Sequence, residues 1–197
     1  MNTKRNKSSF DTYKLTFLAI LTAIVFVLQF FVKIPLGQFT ISVSLSVIVL
    51  GAAVYGYFGG GFLGAVSGFA ILLNGDAALF YGFNFLLTVL LVMLKGIASG
   101  LAAAFAFKLL KRINEYVAVI VAAILAPIVN TGIFFLGTIL FFFPDIQAMA
   151  GGQNVIIFVL IGFIGLNFFV ELILNVLLAP VIVRLLKLIP LTKQRLF

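Results

Sequence analysis

At 197 residues, 64% of them hydrophobic and only 9% charged, the chain falls outside the soluble globular class, whose domains carry about a quarter charged residues. It has no histidine and no cysteine, which removes the commonest general base, the commonest metal ligand, any disulfide and any thiol nucleophile. Its 13 basic and 5 acidic residues give a net charge of +8, which would suggest nucleic acid in a soluble protein but here follows from membrane topology.

Apolar runs of about 20 residues span a bilayer. Six such runs predict an all-α membrane protein: six transmembrane helices in a single bundle, one integral domain over 1–197 with no internal repeat. A basic tail over 1–12 precedes the first run, Tyr13 to Ile34, which is too long for a signal-peptide core and lacks a small-residue cleavage site. Within it, FLAILTAIV places Ala19 and Ala23 as a small-xxx-small pair, with Thr16 and Thr22 nearby; such faces let helix backbones approach closely, inside the bundle or against a partner.

The second run, Ile41 to Tyr57, and the third, Phe58 to Leu73, are short and joined by YGYFGGG. The surrounding GYFGGGFLGAVSG lacks the Lys and Ser/Thr of a P-loop and reads as a tight helix connection. The fourth run covers Phe80 to Leu110, the fifth Tyr116 to Phe143 and the sixth Val155 to Leu188, all long enough to tilt. The bundle thus covers 13–188, and 189–197 is a second tail.

Lys and Arg near the span ends set orientation. With both termini in the cytoplasm, 11 of the 13 basic residues lie inside: Lys4, Arg5, Lys7, Lys14, Lys108, Lys111, Arg112, Arg184, Lys187, Lys193 and Arg195. Lys33, Asp76 and Asp145 lie outside, as do the connections PLGQFT, NGDAALFYGFN and PDIQAMAGGQN; the last is Gly-rich and could serve as a lid.

Lys95 stands in the middle of the apolar stretch FNFLLTVLLVMLKGIASG. A charge at membrane depth is expensive and needs a partner, a wet cavity, or both. Lys95 lies 13 residues before Lys108, and Glu171 lies 13 residues before Arg184, so both sit about 20 Å from the inner charges at 1.5 Å rise per residue. Opposite charges at one depth predict a pair, read either as a structural ion pair or as a ligand site in which Glu171 holds Lys95. Asn167, Glu171 and Asn175 share one helix face, as do Asn84 and Thr88 above Lys95. In APIVNTG, a kink at Pro127 is expected to free a carbonyl near Asn130 and Thr131. These amides should point inward, which predicts one polar pocket lined by three helices and open to the outside.

These features together resemble the S component, the substrate-binding membrane subunit, of an energy-coupling-factor (ECF) vitamin transporter. The similarity rests on size, six spans, the AILTA pattern, the basic inner termini and the stretch IPLGQFTISVSLSVIVLGAAVYGYFGGGFLGAVSGF, and it covers nearly the whole chain. The resemblance implies a bacterial cell-membrane subunit, not an enzyme, that captures a vitamin in its outer half. It implies docking through Ala19 and Ala23 on a transmembrane coupling protein, with two cytoplasmic ATPases supplying the energy; no cofactor, metal or nucleic-acid partner is expected. The chain is similar to pantothenate-type members, and Lys95 beside amides suits a small acid. Other vitamins (folate, pyridoxine, cobalamin, riboflavin) and an oligomeric secondary transporter or channel are the alternative readings.

Overall fold

The computed structural model describes residues 3–36 and 39–189. Helix α1 (Thr3–Phe31) leads into a two-stranded antiparallel hairpin, β1 (Lys33–Leu36) and β2 (Phe39–Ser42), with Ile34 opposite Ile41. Then follow α2 (Ser44–Leu73), the single turn α3 (Ala78–Tyr81), α4 (Phe85–Leu110), α5 (Glu115–Phe141), α6 (Phe143–Ala150), α7 (Val155–Phe158), a π-helical turn (Val159–Ile164) and α8 (Gly165–Leu188). Among the described residues, five helices are long and apolar enough to cross a membrane, or six if α6 and the segment after it, bent by 85°, form one broken span. The chain is a multi-pass helical membrane protein.

Three departures from the sequence reading have physical causes. The connection expected as a loop after the first run contains the short hairpin, a small β-element in an otherwise helical fold. The basic tail over 1–12 is helical from Thr3 and continuous with α1, although tail residues 1–2 and 190–197 lie outside the described residues. The connection before the sixth run contains α6, which packs Ile146 and Ala150 inward and is closed by Gly151 in the left-handed region. The sixth run is itself broken by the π-turn over Val159–Ile164, after which α8 begins at Gly165. Pro127 is buried inside α5, which is assigned as one helix from Glu115 to Phe141.

α2 is continuous by hydrogen bonding but folds back on itself at Gly56, whose φ of 65° and ψ of −145° lie outside the helical region and outside what a side-chain-bearing residue readily adopts. The proof is in its ends: the Ser44 and Ser67 hydroxyls are 3.3 Å apart. In a straight helix they would be about 35 Å apart. The two legs, 44–55 and 57–73, lie antiparallel, as the second and third apolar runs predict. Tyr55, just before the fold, donates to the Lys14 carbonyl at 2.7 Å, and Tyr57, just after it, faces the Lys108 ammonium at 5.2 Å. The fold therefore lies at the basic end of the bundle. The β-hairpin and the 74–84 and 142–154 segments lie at the other, the hairpin end.

The second leg of α2 meets α4 backbone to backbone. A methyl on Gly60 would collide with the Gly100 carbonyl, and one on Gly64 with the Gly96 carbonyl, while Gly68 lies against Val92 and Met93. These small residues, four apart on both helices, let the helices approach without intervening side chains. Of the five long helices α2 is the most buried and α1 the least. Two apolar clusters result. One, at the basic end, joins Leu21, Val25, Ile48 and Leu63 to the alanines of α4 and α5 and to Ile182 and Leu186 of α8. The other, at the hairpin end, gathers Phe80, Leu91, Phe142, Ile146 and Val155.

Candidate ligand-binding site

Between these clusters lies a cavity. Its volume is about 80 Å³, space for on the order of five waters. Leu45 and Ile48 of the basic-end cluster form its floor, and Phe80, Leu91 and Phe142 of the hairpin-end cluster lie across it. The antiparallel helices bring polar groups to this level from five elements: Gln29 of α1, Ser44 and Ser67 of α2, Thr88 and Lys95 of α4, Asn130 of α5 and Glu171 of α8. Asp76 enters from the turn after α2.

The Lys95 Nζ sits 4.7 Å from the centroid of Phe134, a cation–π contact that offsets part of its desolvation. Phe134 in turn meets Phe80 edge-on at 5.3 Å, and Phe80 meets Phe142 at the same separation. The ammonium is within electrostatic reach of both the Glu171 and the Asp76 carboxylates. Across the cavity runs a chain of hydrogen bonds. Ser67 and Ser44 share a bond, Ser44 donates to Gln29 Oε1 at 3.0 Å, and Gln29 Nε2 donates to Asp76 Oδ2 at 3.4 Å. Asn74 completes it, donating to Asp76 Oδ2 and to the Gln29 carbonyl, both at 2.9 Å. Gln29, Ser44 and Ser67 are all buried, so this bonding is what makes their presence in the bundle tolerable.

The cavity is walled by one ammonium, two carboxylates, hydroxyls, amides and three phenylalanines, and it is floored by an apolar core. The family model described as "ECF transporter, substrate-specific component" matches residues 13–183. The chain belongs to this family. No curated protein matches it. As an ECF substrate-specific component it is a transport subunit rather than an enzyme, and it works with the separate transmembrane and ATPase components of such an importer.

In this S component the residues singled out from sequence are distributed as follows. Thr88, Lys95, Asn130 and Glu171 line the cavity. Thr88 is buried and donates to the Phe80 and Asn84 carbonyls at 2.9 and 2.7 Å, fastening α4 to the segment before it. Asn84 caps α4, its Oδ1 accepting from Leu87 N at 3.0 Å. Thr131 is one residue beyond Asn130 and outside the lining. Asn167 is also outside it, with its Oδ1 buried and without a hydrogen-bond partner among the described residues. Asn175, on the same stripe, accepts from Ser46 Oγ at 2.8 Å and donates to the Glu171 carbonyl at 2.8 Å, tying α8 to α2.

Ala19 and Ala23 are exposed on α1, the least buried long helix. Sequence reasoning missed Gln29, Ser44, Ser67 and Asp76. Gln29 and Ser67 are polar residues in apolar runs, the signal that picked out the asparagines, whereas Ser44 is one of an alternating set with Ser42 and Ser46. The phenylalanines of the cavity carry no such signal, being 3 of 24.

Proposed function

We propose that the chain captures a small vitamin bearing a carboxylate, of the pantothenate kind, for an ATP-driven importer. Lys95 meets the carboxylate. Asn130 and Thr88, with the serine–glutamine chain opposite, meet the ligand's hydroxyl and amide groups, and Glu171 fixes Lys95 from the α8 side. Asn84, Thr131 and Asn167 have supporting places around this set. The observation that carries the reading is the Lys95 ammonium in a cavity at mid-bundle, since a lysine with a purely structural role has no need of a cavity at its tip.

The positive-inside pattern orients the hairpin end outward, with both termini in the cytoplasm of a bacterial cell. Six crossings follow if each α2 leg counts as one, since the legs rise about 18 and 25 Å against a hydrocarbon core of about 30 Å. On this reading the cavity faces the outside and its apolar floor faces in, and Ala19 and Ala23 form the docking face for the coupling protein. Native mass spectrometry of the detergent-purified chain against a panel of B vitamins tests the reading. A one-to-one adduct with an acidic vitamin is expected; an adduct only with a neutral one, such as pyridoxine, would overturn the carboxylate assignment, and no adduct at all would overturn capture.

A further inference from the structure

Asp76 is positioned by its own turn rather than by a helix. Its backbone N–H donates to Asn74 Oδ1 at 2.9 Å, and Gly75 between them takes a φ of 83°, the left-handed conformation that closes such a turn. The Asn74 and Gln29 amides both donate to Asp76 Oδ2, which holds the carboxylate at the cavity wall. From there it shares the cavity wall with Lys95 and with Glu171, both carboxylates being within electrostatic reach of the ammonium. The three groups sum to a formal charge of −1. An anionic ligand approaching Lys95 thus meets a site that repels it, unless one resident carboxylate yields.

The two carboxylates differ in how they are held. Glu171 lies on the regular helix α8. Asp76 lies on a turn between α2 and α3, where two side-chain amides donate to its Oδ2 and so satisfy the carboxylate without the ammonium. We infer that Asp76 is a resident counter-ion for Lys95 that the carboxylate of an acidic ligand replaces, which makes Asp76 a residue that sets affinity and selectivity for acids. This rests on the proposed carboxylate-capture reading and adds a residue to it.

The absence of native cysteine allows a direct test. Ser67→Cys places a single thiol on the cavity wall, and Leu91→Cys places one on another wall as a second reporter. Each purified full-length chain is reacted with an anionic and a cationic methanethiosulfonate reagent. Asp76→Asn is expected to raise the anionic-to-cationic rate ratio tenfold or more, and adding Lys95→Met should abolish most of that gain. An unchanged ratio overturns the inference. So does a gain of equal size without Lys95, because that would be a general field effect rather than release of the ammonium. Equilibrium dialysis with pantothenate gives a second reading: tighter binding by Asp76→Asn than by wild type supports replacement, and weaker binding contradicts it. A wild-type chain that binds no vitamin would defeat the capture reading, while the thiol ratios would still decide the role of Asp76.

Discussion

The hydroxyls of Ser44 and Ser67 meet at 3.3 Å across a separation of 23 residues. That contact exists because α2 reverses at Gly56, and it places two hydroxyls on the cavity wall beside Gln29. The fold-back is therefore what joins the Gly-rich stretch of sequence to the site.

Gly56 should be intolerant of a side chain. A residue forced into its backbone conformation costs on the order of 1–3 kcal/mol. Gly56→Ala is expected to lower the thermal midpoint followed by circular dichroism in detergent, and to weaken ligand binding as the leg ends shift. A midpoint equal to wild type would mean that the chain does not turn at this residue.

The α2–α4 contact makes a graded prediction. Gly64→Ala and Gly100→Ala set a methyl against a backbone carbonyl, which cannot move aside, whereas Gly61→Ala meets only the end of the Leu101 side chain at 3.2 Å. The first two should destabilise by an amount at or above the roughly 1–3 kcal/mol of ordinary overpacking, and the third by much less. Equal effects in unfolding assays of all three would argue against the glycine-to-glycine packing.

For the exposed face of α1, Ala19→Leu with Ala23→Leu is expected to abolish co-purification with the coupling protein and ATPases while leaving vitamin binding within about twofold. Both positions are exposed, so a larger side chain has space on the isolated subunit. Recovery of an intact complex from the double variant would remove this face from the docking assignment.

Much of this arrangement was legible in sequence because membrane interiors penalise polarity. Lys95 and Glu171 stand out as charges in apolar runs, and counting residues to the inner basic ends puts them at one level; the structure has both on one cavity. The short second and third runs and their glycines announce a tight turn. Other features left weaker marks. Asp76 sits in a connection, and connection residues reveal depth only once the chain path is known. The π-turn over Val159–Ile164 interrupts the start of the sixth run at a point that no proline or charge marks, only a glycine. Asn175 shares a stripe with Glu171, yet the stripe curves from cavity to helix contact, and Ser46 claims its amide. The hairpin strands are four residues each, too short for a period-two pattern to appear.

The most direct measurement is native mass spectrometry of the wild-type chain and Lys95→Met side by side, each titrated with pantothenate and the other acidic B vitamins, with circular dichroism confirming that both are folded. The account predicts a one-to-one adduct of the wild type with an acidic vitamin and an affinity at least tenfold lower in Lys95→Met. Equal affinity in the two chains would contradict it and return Lys95, with Glu171, to the role of a packing ion pair.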